Sequence, residues 1–250
     1  MSEVSAEFLL INNNNTRTKF ALGTGDHLTP LKSMISSELT AETVAGHLKG
    51  FSWEKVVLAS VVPSNIPALK ALQDGKPFIE ISHEIALGVE VDFPAPATIG
   101  ADRLANAAAV AGRFPGEAVV VVDFGTAVTF DIIDARPAYV GGVIAPGLDA
   151  MNHYLHQRTA LLPEIEIVRP GTAIGKSTVE AMQSGAFHGY RGLVREILEQ
   201  IQLEMEGSAK VIATGGYAAL IADDFAEIES VEPLLTMHGL LKVAHLNFSS

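Results

Sequence analysis

The sequence predicts an α/β protein made of two related halves in which strands are mixed with covering helices. Three observations carry this. Val120 to Phe130 (VVVDFGTAVTF) reads as a buried strand, a tight turn and a second strand, Leu9 to Leu22 repeats that plan, and the remaining apolar runs are interspersed with helical stretches. The valines ending at Val122 deliver a carboxylate, Asp123, to the end of a strand. Gly125 admits a tight turn or the close approach of a ligand, and Thr126 adds a hydroxyl and an amide donor for an anion. That is the chemistry of a site for metal-bound phosphate.

In the earlier hairpin Leu9 to Ile11 precede Asn12, Asn14, Asn15 and Thr16, and Thr18 to Leu22 alternate again. Aligning Asn12 with Asp123 sets Asn14 on Gly125 and Thr18 on Thr129. A third turn follows the apolar run Val211 to Ala213 at Thr214, Gly215 and Gly216. Three such turns predict one nucleotide held between two domains, residues 1–114 and 115–250.

Taken in order, Phe8 to Ile11 and Thr18 to Leu22 read as strands, Ala41 to Leu48 as a helix, and Lys55 to Val62 as a buried strand ending at Pro63. Phe78 to Ile81 is a short strand, and Pro94 with Pro96 makes Phe93 to Thr98 a loop. Asp102 is placed to cap the Ala-rich helix Arg103 to Arg113, which Pro115 and Gly116 close. Strands follow at Ala118 to Val122, Val128 to Ile133 and Tyr139 to Ile144. Helices are predicted at Leu148 to Gln157, Ser177 to Glu204 and Gly216 to Ala222.

With 250 residues, 48% hydrophobic and 18% charged, the chain buries one sizeable core or two modest ones. A formal charge of −12 and a pI near 5.0 argue against a nucleic-acid partner or an anionic membrane surface, both of which need a basic field. Phosphate binding is therefore expected to be local. The absence of cysteine excludes disulfides, thiolate metal sites and cysteine nucleophiles. The acidic start MSEVSAEF and the lack of any long apolar run predict a cytoplasmic protein without a membrane span.

LLINNNNTRTKFAL, ASVVPS at 59–64, GADRLANA at 100–107, DFGTAVTFD at 123–131, GGVIAPG at 141–147, TALLP at 159–163 and ATGGY at 213–217 occur in this order over nearly the whole chain. Together they resemble type III pantothenate kinase, of the actin-like (ribonuclease H-like) superfamily. The resemblance implies the duplicated actin-like fold and the ATP-dependent phosphorylation of pantothenate to 4′-phosphopantothenate at the start of coenzyme A synthesis. It makes Asp102 the acceptor of the substrate hydroxyl proton. Pantothenate contacts fall on Phe93, Gly100, Ala101, Asp102, Arg103 and Thr178, and ATP contacts on Asn12, Asn13, Asn14, Asn15, Thr16, Arg17, Thr18, Lys19, Gly125, Thr126, Gly215 and Gly216. Asp123 would hold a monovalent cation, K⁺ or NH₄⁺, and Mg²⁺ would accompany ATP. It further implies a homodimer in which Thr178 reaches the partner's site, with Val179 to Val194 as the seam.

The residues themselves allow plainer roles. Asp102 can serve as a helix cap, Arg103 as a solvated cation, Asp123 as a turn former and Thr178 as a cap, with Ser177 competing. As a functional group, Asp102 accepts a proton and Arg103 grips a carboxylate through paired hydrogen bonds. The family pattern at the first turn is Asp, any residue, Gly, Asn, Thr, where this chain has Asn12 to Thr16. Asn14 tolerates the backbone required of a glycine. Asn12 cannot neutralise a magnesium ion, and Lys19 offsets some phosphate charge. Phe93 stands where relatives carry Tyr, and Ala95 where they carry Asn. Those departures leave two alternatives open: a binding or regulatory paralogue without turnover, or a kinase for another small hydroxy acid.

GTAIGKST does not meet the P-loop pattern, because only three residues separate Gly171 from Gly175 and Pro170 precedes them. His153 and His156 lack a third ligand in the sequence around them and are read as surface or interface residues, and Asp223, Asp224, Glu227 and Glu229 as a solvated edge.

Overall fold

A computed structural model describes residues 4–205, 209–223 and 225–248, so Asp224 of the acidic run lies outside the described residues. The chain forms two compact units, residues 1–116, 137–140 and 234–250 in one and residues 117–136 and 141–233 in the other.

The first unit opens with β1 (Val4–Asn13) and β2 (Arg17–Thr24), followed by β3 (His27–Leu28), β4 (Lys32–Ile35) and α1 (Ala41–His47). Then come β5 (Phe51–Ser60), α2 (Ile66–Lys70), β6 (Phe78–Glu80), β7 (Glu90–Val91) and α3 (Ala101–Arg113). The strand order is β3-β2-β1-β5-β6, with β4 also on β2. β1 runs antiparallel to β2 and parallel to β5, and β5 parallel to β6. Leu9, Ile11, Phe20, Leu22, Val56 and Leu58 pack with Val44 and Leu48 around α1 and with Leu69 of α2. Helices cover the other face as well, since β1 and β5 also meet the C-terminal helix. Burial on both faces explains why Phe8 to Ile11 are continuously apolar instead of alternating.

The second unit begins with β8 (Val119–Phe124) and β9 (Ala127–Ile133). β10 (Ala138–Pro146) starts in the first unit, where Ala138 and Tyr139 pair with Glu90 and Val91 of β7. α4 (Leu148–Arg158), α5 (Thr178–Glu204), β11 (Lys210–Thr214), α6 (Ala218–Ile221) and β12 (Ser230–Val231) complete it. Its strands run β12-β11-β8-β9-β10. Each unit therefore places an antiparallel hairpin beside two parallel strands, β1/β2 with β5 and β6, and β8/β9 with β11 and β12.

Two expectations need correction. The last helix, α7 (Leu235–Phe248), belongs to the first unit and not to the second half, because its apolar residues pack on α3 and β1. In addition, Gly100 is the N-cap of α3, so Asp102 lies inside the first turn and not at the cap position.

Candidate active site

In the first unit, β1 ends at Asn12 and Asn13, beside Ala59 and Ser60 of β5. Asn12 pairs with Lys19 across the hairpin, and Asp123 pairs with Thr129 in the second hairpin. The first turn thus holds one residue more than the second, and Lys19, not Thr18, is the structural counterpart of Thr129.

The run 12–19 divides by burial. Asn12, Asn13 and Thr18 are buried, whereas Asn15, Thr16 and Arg17 are exposed at the tip. Asn13 and Thr18 support the turn from beneath: Asn13 Nδ2 donates to Thr18 Oγ1 at 2.7 Å, and Asn13 Oδ1 accepts from Ser60 Oγ at 2.7 Å. The Oδ1 atoms of Asn12 and Asn14 are buried and have no hydrogen-bond partner among the described residues. Two hard oxygen acceptors are left over at the end of the strand.

The same strand end reaches the loop before α3. The Val61 N–H donates to the Asn13 carbonyl at 3.0 Å, and a β-carbon at Gly100 would lie 3.4 Å from Val61 Cγ1 and 2.6 Å from Asp102 Oδ1. Asn13, Val61, Gly100 and Asp102 therefore follow one another in space. Asp102 Oδ1 accepts the Arg103 N–H at 2.9 Å. Burial holds the Asp102 carboxyl above the ordinary carboxylate pKa, and the Arg103 amide and guanidinium oppose this only in part. Such a carboxylate accepts a proton more readily than a solvated one.

Phe93, Arg103 and Tyr139 form a second cluster in this unit. Phe93 meets Tyr139 edge-on with centroids 6.2 Å apart, and the Arg103 guanidinium lies 5.8 Å from the Tyr139 ring centre. Ala101 is buried in the first turn of α3. Sequence reasoning left Tyr139 in a strand and assigned it no role. It is held there because the Asp92 N–H donates to its carbonyl at 3.0 Å.

In the second unit three turns converge. Asp123, the penultimate residue of β8, pairs with Thr214 of β11, and the Gly125 N–H donates to the Ala127 carbonyl at 3.1 Å. Gly215 (φ +98°) has room for no β-carbon, which would lie 2.5 Å from Asp123 Oδ1 and 2.6 Å from the Phe124 nitrogen. Gly147 closes on the turn as tightly: a β-carbon there would lie 2.6 Å from the Gly125 carbonyl oxygen and overlap that of Thr126. Thr126 itself is exposed, as is Gly216. The carboxylate and the second and third turns are thus brought together within the second unit.

Asp149, Tyr190 and Tyr217 were not anticipated. The Tyr217 hydroxyl donates to Asp149 in the first turn of α4, and burial together with that carboxylate pushes its pKa up to about 12. Tyr190 is 1% exposed; burial first, then the charges of Asp149 and Asp123, raise its pKa. The Gly-Leu-Asp sequence directly after β10 was the available signal.

Thr178 begins α5 and is capped by Ser177, whose hydroxyl accepts the Glu180 N–H. It is exposed and lines a groove of about 540 Å³ with Leu155, Leu162, Ile165 and Met182. The GTAIGKST segment is irregular and follows no strand. His153 Nδ1 lies 3.7 Å from Glu164, a carboxylate that sequence spacing did not bring near, but no group of three metal-ligating His, Cys, Asp or Glu side chains occurs among the described residues.

The family model for type III pantothenate kinase matches residues 8–200. The chain belongs to the type III pantothenate kinase family. Within the family it is 49% identical over 241 residues to the type III pantothenate kinase of Akkermansia muciniphila, covering 96% of this chain and 99% of that one. It is 38% identical to that of Methylacidiphilum infernorum, covering 95% and 88%. Its fold is similar to an activator of 2-hydroxyisocaproyl-CoA dehydratase from Clostridium difficile (TM-score 0.54, 12% identity, 97% and 94% covered). It is also similar to MreB 5 of Spiroplasma citri (TM-score 0.52, 11% identity, 96% of each chain covered). The actin-like fold expected for the family is thereby present. Among the described residues no helix is long and apolar enough to cross a membrane.

Proposed function

We propose that this chain transfers the terminal phosphoryl group of ATP to the primary hydroxyl of pantothenate, giving 4′-phosphopantothenate, the first step of coenzyme A biosynthesis. Family membership carries the reaction class. The observation that assigns the chemistry is Asp102, a carboxylate with a raised pKa in the first turn of α3, linked through Gly100 and Val61 to the end of β1.

In this reading Asp102 orients the alcohol and takes its proton as the bond to phosphorus forms. In a loose transfer state positioning outweighs basicity. Arg103 pairs with the pantothenate carboxylate, and Phe93 and Tyr139 wall the substrate beside it. Asn15 to Arg17 of the first unit, and Thr126, Gly215 and Gly216 of the second, are assigned to the phosphates. Lys19, opposite Asn12, adds positive charge.

The orphaned Oδ1 atoms of Asn12 and Asn14 fit the waters of a hydrated Mg²⁺, as acceptors and not as neutralising ligands. When bound, Mg²⁺ offsets charge on the polyphosphate. A monovalent cation, K⁺ or NH₄⁺, suits the Asp123 carboxylate with the Thr126 hydroxyl. A homodimer is supported by exposed apolar side chains of the second unit, Ile144, Tyr154 and Val179, and by the groove at Thr178. Sedimentation of the full chain reads its assembly.

A coupled assay with pantothenate, ATP, Mg²⁺ and K⁺ tests the reaction. Turnover that Asp102→Asn abolishes is the expected result. Ligand binding without turnover by the unaltered protein overturns it in favour of a binding paralogue.

A further inference from the structure

Ser36 stands in a short 3-10 turn, residues 36–38, directly after β4, and is 2% exposed. It touches the first turn at two points: its N–H donates to the Thr16 carbonyl at 3.0 Å and its Oγ donates to the Asn14 carbonyl at 2.6 Å. Its own carbonyl accepts from Asn65 Nδ2 at 3.0 Å.

The hydroxyl directions behind it are determined. A hydroxyl has one hydrogen, and Ser36 gives its own to a carbonyl, which only accepts. The 2.9 Å contact between Thr18 Oγ1 and Ser36 Oγ therefore runs from Thr18 to Ser36, and Thr18 in turn accepts from Asn13 Nδ2 at 2.7 Å. On the other side Ser60 donates to Asn13 Oδ1 at 2.7 Å and accepts the Val62 N–H at 3.2 Å. Every member is satisfied in one sense along the row, and such rows polarise and stiffen one another.

The consequence falls on the turn's amides. In a trans peptide the C=O of one residue and the N–H of the next point in opposite directions. Ser36 draws the carbonyls of Asn14 and Thr16 to the buried side, so the N–H groups of Asn15 and Arg17 are turned away from it. The Asn14 N–H still donates to the Arg17 carbonyl at 3.2 Å, but the return bond that would close a two-residue hairpin is replaced by the Ser36 hydroxyl.

We infer that Ser36 is a positioning residue for the nucleotide turn, setting the Asn15 and Arg17 amides toward the phosphates through the Asn14 and Thr16 carbonyls; this rests on the ATP reading above. Ser36→Ala keeps the backbone N–H and loses both hydroxyl contacts. Thr18→Val interrupts the same row one step away and leaves Ser36 in place.

The test is calorimetric binding of Mg·ATP, with KM for ATP and for pantothenate measured separately. The expected result is a rise in Kd and KM for ATP of about tenfold for Ser36→Ala, with KM for pantothenate unchanged and Ser36→Thr restoring much of the loss. Thr18→Val shifts the same constants in the same direction, and the double variant is no worse than Ser36→Ala. The inference is overturned if Ser36→Ala binds ATP as the parent does, or if both KM values rise together with a lowered Tm. If Ser36→Ala fails to fold, unchanged ATP binding by Thr18→Val overturns it equally. Failure of the parent protein to bind ATP instead removes the reading on which it rests.

Discussion

Gly215 approaches Asp123 so closely that a methyl group on its α-carbon would stand 2.5 Å from the carboxylate oxygen Oδ1. Its φ of +98° adds a second barrier to any side chain. Gly215→Ala is expected to cost about 1–3 kcal/mol of stability by overpacking alone and to weaken nucleotide binding by displacing Asp123. Gly216 has open space around its α-carbon, so Gly216→Ala stays within about 0.5 kcal/mol of the parent. Urea midpoints of the two variants check the contrast, and equal midpoints would refute it.

Asp102→Asn should separate activity from stability. Burial raises the folded pKa of Asp102 above 3.8, so the folded protein retains this proton to higher pH than the unfolded chain. Stability from this group is full below 3.8, declines as pH rises through the folded pKa, and stays reduced at neutral pH. A proton acceptor must be ionised, so kcat/KM falls as pH drops through that same raised pKa. The asparagine variant is expected to lose turnover by about a hundredfold or more and to melt higher at neutral pH. A lower Tm would contradict the account.

Asn12→Asp introduces a carboxylate at a side chain that is 3% exposed and whose amide oxygen already lacks a donor. Without a bound metal ion that buried charge is offset only in part by Lys19 on the facing strand, so the variant melts below the parent in chelator. Mg²⁺ with ATP reverses the difference, and kcat/KM for Mg·ATP rises about tenfold, the scale of one charge-assisted interaction. Melting curves with and without Mg²⁺ decide it, and a variant indifferent to Mg²⁺ would show that this position does not face the ion.

The two tyrosines near Asp149 should respond unequally to loss of the hydroxyl. Tyr190 Oη is buried with the Leu148 backbone N–H as its one neighbouring donor, outside good hydrogen-bond geometry, so Tyr190→Phe is expected to stay within about 0.5 kcal/mol of the parent. Tyr217→Phe removes a bond to a carboxylate and destabilises by about 1 kcal/mol or more. Ultraviolet titration of the parent against Tyr217→Phe should also show one phenol ionising at about 12. Ionisation near 10 would mean that the Tyr217 to Asp149 bond is absent in solution.

The hairpins were legible in the sequence because their evidence is local: Leu9 to Ile11 and Val119 to Val122 are buried on both faces, and Asn, Asp and Gly follow at the turns. The approach of Gly215 to Asp123 was not legible, because it depends on the parallel pairing of β8 with β11, far apart in the chain, which no local pattern reveals. Nor were Tyr139 and Ser36. Tyr139 matters through a pairing with residues 90–91, and Ser36 through contacts about 20 residues back, which no spacing rule connects. The capping position of α3 was misread by two residues because Gly100 and Asp102 are both acceptable caps, and the extended backbone of Gly100 settled the choice.

The packing of α7 on α3 carries a consequence for biogenesis. Gly239 lies against the Ala105 carbonyl with no space for a side chain, and the Thr236 hydroxyl donates to the buried Asn106 amide oxygen at 2.8 Å. The segment that completes the first unit is thus synthesised only after the entire second unit. A nascent chain leaving the ribosome exposes the greasy flank of α3 and β1 until α7 has emerged, so the second unit can mature first, and a polypeptide truncated before α7 becomes a client for chaperones or proteases.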